Sequence, residues 1–426
     1  MSNAATSIVS LNISGLGLVT ASGSNLLESL FFSDASVEPG VPTPFFKPAE
    51  IEGDDPEPIQ INRCPWLEAE LPLSERCLRM AERAAREALE PLLANQTGDE
   101  PVCPELWLIL PCPRDDFSEL TAASISQELW KRLSPSNVRT LFGEAATMDA
   151  LKEIHTTMKG GAAAALLLAV DSFFSVESAE REVTQPVTPW EPLPPLKAEA
   201  AAAVLFTAKS PSAAADSLSR SRLGSSRLGT KAPESNLRQS YFTSQGLASG
   251  GTLSEPPTSM RSSRLSGTAL GALSSSHIAR LVATGSAKAP ANEHNDVLQD
   301  GLVMTYLLET LSAAIRPDWL IGPTRSSLFR SREWEMALCR CRAKVADEFD
   351  SLDVETVFGR VGAAAVVVSI VYSVAATRLG LKEPKDGNLL TSCVWNVSPD
   401  GNRGLLALMT QIQTETQHTS GATRAR

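Results

Sequence analysis

The stretch Val357 to Ala376, VFGRVGAAAVVVSIVYSVAA, decides how the chain folds. It opens on a glycine turn and runs on as an apolar segment with no charge from Val361 to Thr377, bounded by Arg360 and Arg378. That length falls short of the ~20 residues a membrane span needs. A helix without a polar face must instead be covered by other layers on every side. Gly359 and Gly362 let its first turn approach a neighbouring backbone closely, where a side chain would collide. The expectation is a layered α/β protein with one helix in its middle.

With 426 residues, 43% hydrophobic and 20% charged, the chain can bury a large core and is long enough for two core units. A formal charge of -11 argues against nucleic acid or an anionic membrane as the main partner, because neutralising phosphates takes basic surface. The seven cysteines, Cys64, Cys77, Cys103, Cys112, Cys339, Cys341 and Cys393, are an odd number without a CxxC pair. They read as reduced thiols of a cytoplasmic protein. The N-terminus lacks the basic start and apolar stretch of a secretory signal. His155, His277, His294 and His418 have no zinc-ligand spacing, so no metal site and no cofactor is expected.

Along the chain, Ile8 to Ser14 reads as a buried first strand that turns sharply at Gly15-Leu16-Gly17. This GxG lacks the third glycine of a dinucleotide fingerprint. The proline-rich stretch Glu38 to Pro72 forbids long helices and predicts a surface excursion. Ser74 to Leu93 is an amphipathic helix capped by Ser74, with Leu78, Ala81, Ala85, Leu89 and Leu92 on one face. LWLIL, Leu106 to Leu110, predicts a buried strand, Ser118 to Arg132 a helix, and Ala145 to Met158 a helix stopped by Gly160 and Gly161. Ala162 to Val170 and Ala200 to Ala208 are apolar throughout, as strands buried on both faces are.

From Lys209 to Leu270 the composition shifts to Ser, Arg, Gly, Ala and Pro, and SRLG occurs at Ser221 to Gly224 and again at Ser226 to Gly229. Eight Lys or Arg against three Asp or Glu leave +5 here and -16 in the remainder of a chain of net -11. The segment 209–270 is expected to be a flexible basic insertion, since it has too little apolar surface to offset the entropy of ordering. Beyond it, His277 to Thr284 predicts a strand, Val297 to Ile315 a helix, Trp319 to Ile321 a strand and Ser331 to Arg342 a helix. Leu389 to Val397 and Gly404 to Met409 flank the turn Pro399-Asp400-Gly401 as a hairpin, and the tail 414–426 is polar.

ISGLGLVTASG, Ile13 to Gly23, resembles the first strand and turn of the β-ketoacyl synthases in the thiolase-like superfamily. GGAAAALLLAVDS from Gly160, EAAAAVLFTA from Glu199, VFGRVGAAA from Val357 and the closing hairpin match later pieces of the same family in the same order. The resemblance implies a five-layered αβαβα fold of two similar halves, 1–208 and 271–413, with 209–270 as an insertion and 414–426 as a tail. The family's catalytic residues do not carry over. Its nucleophilic cysteine falls at Gly143 or Glu144, one histidine at Gly359, the lysine near Val354, and the second histidine within Ile321-Gly322-Pro323-Thr324. Condensation needs a thiolate and two imidazoles, so no catalytic residue is assigned and the expectation is that the chain is not an enzyme.

Nor does another group stand out. Asp115 and Asp116 beside Cys112 would raise its pKa, Cys339 and Cys341 point different ways on a helix, and His155 reads as a structural residue. The first functional expectation is a binding protein. Helices of the Arg332-Glu333-Trp334 type make it similar to accessory proteins of type VI secretion, implying an adaptor or co-chaperone for an effector and PAAR complex. The second is a chain-length-factor-like partner of an active ketosynthase in polyketide or fatty-acid synthesis. Either allows a homo- or heterodimer.

Overall fold

The computed structural model describes residues 5–34, 41–46, 58–94, 102–175, 196–208, 278–290, 300–312, 315–323, 328–384, 388–398 and 400–412. All of them belong to the unit formed by Met1–Ala208 and Ala269–Arg426. The expectations for 209–270 and for the tail lie outside the described residues.

Up to residue 208 the order is β1 (Ala5–Thr20), α1 (Leu26–Asp34), β2 (Val41–Phe46), β3 (Pro58–Ile61), α2 (Leu73–Ala94), β4 (Glu105–Leu110), α3 (Glu119–Leu133), β5 (Asn137–Phe142), α4 (Ala146–Lys159), β6 (Ala164–Ser172) and β7 (Glu199–Thr207). After the insertion come β8 (Ala279–Lys288), α5 (Leu302–Leu311), β9 (Trp319–Gly322), α6 (Leu328–Arg340), β10 (Asp350–Asp353), α7 (Val354–Phe358), α8 (Ala365–Arg378), β11 (Leu389–Val397) and β12 (Asn402–Gln411).

Ten strands hydrogen-bond in the order β10-β9-β11-β12-β8-β1-β7-β6-β4-β5, and β2 pairs with β3 separately. Counted outward from the antiparallel β1–β8 seam, each half places its first, fifth, fourth, second and third strand in turn. Each half also runs its outer three strands parallel and its fifth strand antiparallel to them. The two halves are therefore similar, as the resemblance implied.

Alternate side chains on each strand feed different helical layers. Leu106, Leu108 and Leu110 of β4 join α2 and α3 in one cluster, while Trp107 and Ile109 join α4 and α8 in the central one. On the far side, Leu320, Trp395 and Leu405 pack with α5 and α6. The result is five layers, helices outside each half of the long sheet and α4 with α8 between the halves. Strands covered on both faces explain the unbroken apolar runs.

α8 is the helix on which the sequence reading rested. All of its residues are buried except Tyr372, which is half-buried. Its Ser and Thr hydroxyls are satisfied: Ser369 donates to the Ala365 carbonyl, Thr377 to that of Ser373, and Ser373 pairs with Ser392 of β11. Among the described residues no helix is long and apolar enough to cross a membrane.

Three expectations are corrected. Gly15 and Gly17 do not turn the chain: β1 passes straight through them, and a Cβ at either would be driven into a backbone carbonyl of α2, that of Ala88 or Ala84. The helix expected over Val297 to Ile315 is the shorter α5, Leu302–Leu311, opened by Gly301 in the left-handed region at φ 65°. Ser74 lies inside α2 and does not cap it.

Candidate functional site

The two central helices begin at a common mouth. At the end of β5, Gly143 takes φ +88°, and its N–H donates to the Leu110 carbonyl at 2.8 Å, folding the turn before α4 onto the end of β4. The Cys112 thiol sits against this turn, with Sγ 2.9 Å from where a Cβ on residue 143 would lie. Glu144 reaches Arg330 at 3.4 Å, and Arg330 reaches Glu355 at 3.3 Å. Both contacts are longer than the 2.7–2.9 Å typical of charge-assisted bonds. Arg330 is only 2% exposed, so a guanidinium between two carboxylates occupies the space between α4, α6 and α7.

On the other side of the mouth stands Asp171, at the end of β6. It accepts the Ala363 N–H at 2.9 Å in the turn that opens α8, and Arg114 at 3.0 Å. Arg114 also bonds Asp116 at 2.7 Å and lies over the Phe173 ring at 4.6 Å. Gly362, at φ +50°, is required because a Cβ there would strike the Asp171 carboxylate. Burial raises the Asp171 pKa, opposed by Arg114 and the Ala363 N–H. One carboxylate thus ties the first half of the chain to the central helix of the second.

The positions that the resemblance had marked each have a definite place in the fold. Gly143 and Glu144 stand before α4, Gly359 turns the chain at φ +81°, Val354 opens α7 and Gly322 ends β9 against the Trp395 ring. Thr324 lies outside the described residues, as do His277, His294 and His418. His155 is further along α4, ~13 Å from its start at 1.5 Å per residue. Its pKa is lowered by burial and by Lys159. Cys112 is exposed, and its pKa is raised by burial first and then by Asp400, Glu144 and Asp171. The sequence had the direction right and the carboxylates wrong, since Asp115 and Asp116 are not among the causes.

Arg330, Glu355, Asp171 and Arg114 were not singled out from the sequence. Asp171 alone left a signal, as an acid closing an otherwise apolar strand. The site pairs no thiol with an imidazole among the described residues; it is built of carboxylates, guanidiniums and one exposed thiol.

No family model matches the chain, and no curated relative was found for it. Many solved structures match. Similar folds include the ishigamide ketosynthase/chain length factor, at 13% identity and TM-score 0.58, covering 95% of this chain and 100% of that one. The ketosynthase from module 6 of the bacillaene synthase from Bacillus subtilis 168 is 9% identical, with TM-score 0.58, over 95% of this chain and 72% of that one. The AntDE:AntF complex, a type II polyketide synthase acyl-carrier protein with its ketosynthase, gives 10%, 0.58, 95% and 100%. The fold is therefore the thiolase-like fold of ketosynthases and chain length factors. The expectation that the chain is not an enzyme is overturned by these neighbours: it shares nearly its whole length with ketosynthases, so its fold does not set it apart from them.

Proposed function

We propose that the chain is a partner subunit of a ketosynthase in polyketide or fatty-acid synthesis, forming part of a condensing enzyme. What carries this reading is that ketosynthase/chain length factor proteins share its fold over 95% of its length. The ion pairs beside the mouth fit it, because Glu144, which Arg330 reaches, is one of the positions that the resemblance assigns to the ketosynthase thiol. These neighbours favour this reading over the type VI secretion adaptor.

The partner is proposed to add to β5. Of the two sheet edges, β10 is four residues long and carries Asp350 and Asp353, a guarded edge. β5 has six residues and one charge, Arg139, and beside it Leu120, Trp130 and Phe142 are exposed. Together with Val138 and Thr140, Trp130 and Phe142 line an open groove of about 500 Å³ between α3 and β5. An open strand edge beside exposed aromatic residues suits strand addition.

Co-expression with a ketosynthase and an acyl carrier protein from the same genome tests the proposal. The expected result is a stable complex with the ketosynthase and product lengths that change when Glu144 or Arg330 is substituted. Purification as a lone monomer in the presence of both, or capture with secretion effectors instead, overturns it.

A further inference from the structure

Three short segments from distant parts of the sequence lie side by side next to the turn that opens α8. The Asn62 N–H donates to the Lys197 carbonyl and the Glu199 N–H to that of Asn62, while the Arg360 N–H donates to the Leu196 carbonyl and the Ala198 N–H to that of Arg360. Asn62 is thereby bridged to Ala198 and Lys197 to Arg360, both in parallel register. Bridged residues share a face, and successive residues alternate between faces. Asn62 and Ala198 fall on one face, where a Cβ on Gly359 would meet both. Arg63, Lys197 and Arg360 fall on the other, and each is partly exposed.

Two aromatic rings, from the residues that follow β6, hold the cations of this face. Arg63 lies over the Phe174 ring at 5.7 Å, which Arg76 also covers at 4.5 Å. Lys197 lies over the Phe173 ring at 5.9 Å, with Arg114 at 4.6 Å. The acids nearby are committed elsewhere, Glu199 to Arg76, and Asp171 and Asp116 to Arg114. Among the described residues neither Arg63 nor Arg360 has an ion pair, and Nε of Arg360 is buried without an acceptor. A buried donor without an acceptor and two guanidiniums without a carboxylate both call for an anion from outside.

We propose that this face binds a phosphate dianion, free or as the monoester of a small molecule, between Arg63 and Arg360 with Lys197 beside them. The two arginines flank the Lys197 segment at two strand spacings, about 10 Å, a gap that two such side chains can close around a phosphate. Guanidinium forks match phosphate oxygens, and a phosphate whose second pKa is about 6 carries close to two negative charges at neutral pH. A carboxylate brings one charge and two oxygens, too few for two guanidiniums and an ammonium. In a chain of net charge -11 the basic face is local, which suits one small anion and not a nucleic acid.

Titration calorimetry of the full chain at about pH 7.5 reads the site, with inorganic phosphate as the probe, phenyl phosphate as the ester and acetate as the carboxylate control. Phosphate is expected to saturate the wild type and to bind at least about tenfold more tightly than acetate. At about pH 5, where phosphate is a monoanion, its binding should weaken. Arg63→Gln and Arg360→Gln should each weaken it by about tenfold, while Arg280→Gln on β8 leaves it unchanged. Binding of both phosphate and phenyl phosphate supports an ester as the ligand; binding of inorganic phosphate alone supports the free ion. No saturation by either, acetate bound as tightly as phosphate, or unaltered affinity in the arginine variants overturns the site. The two arginines lie on separate segments, so if circular dichroism shows one variant unfolded, the other decides alone. None of these outcomes depends on a partner subunit.

Discussion

Arg76 and Glu199 meet in a fork of two contacts at 2.6 Å with both side chains 0% exposed. Glu199 also accepts from the Cys64 N–H and the Ser172 hydroxyl, so the carboxylate is fully engaged. Arg76→Met would strand that charge and is expected to lower the unfolding free energy by about 3–5 kcal/mol in urea denaturation. Adding Glu199→Gln removes the stranded charge and should recover part of the loss. Cys112 gives a kinetic test. Although it is exposed, its raised pKa should make it alkylate more slowly at pH 8 than a thiol in an unstructured peptide. Asp400→Asn should speed the reaction, by less than about tenfold because burial is the larger cause. At this scale the sequence exposed what was missing from the site more readily than what fills it. Gly143, Glu144 and Gly359 could be placed by counting along the chain. Arg330, by contrast, is one arginine among many until the fold sets it between Glu144 and Glu355.

α8 shows why some elements can be read from one sequence and others cannot. A helix covered on all sides must be apolar throughout, and that pattern survives without any knowledge of its neighbours. Ile370→Ala, fully buried there, should cost about 2–5 kcal/mol, measured by chemical denaturation. Gly362→Ala should also destabilise, through both the φ of +50° and the collision with Asp171. The strands β4, β6, β7 and β11 were legible for the same reason as α8, since they are buried on both faces. β5 and β10 were missed because they stand at the sheet edges. NVRTLF is neither apolar throughout nor cleanly alternating, and DSLD is short and acidic. The pairing that makes these segments strands comes from β4 and β9, which local pattern does not contain. The glycines of β1 were misread for a related reason. Glycine marks both turns and close approaches, and only the position of α2 distinguishes the two.

For the molecule as a whole, the order of the resembling segments foretold two similar halves, and the strand order bears this out. What the sequence could not supply was a partner, because an interface is a property of exposed surface. If β5 is where the partner adds, Trp130→Glu with Phe142→Glu should weaken the proposed complex by more than about tenfold in sedimentation analysis, with circular dichroism unchanged. Both residues are exposed, at 54% and 41%, so the fold does not depend on them. Loss of folding, or unaltered association, would remove β5 from consideration.

The seam between the halves also has a bearing on how the chain is made. β1 leaves the ribosome before the other strands of the sheet, yet one of its two neighbours, β8, follows only after the rest of the first half and the insertion have been synthesised. At roughly 5–20 residues per second, the apolar side of that strand waits on the order of tens of seconds for its mate. A nascent chain in this condition offers an uncapped strand to any passing polypeptide, so holding chaperones or a slowed start of translation should raise the yield of folded protein more than any change near the C-terminus.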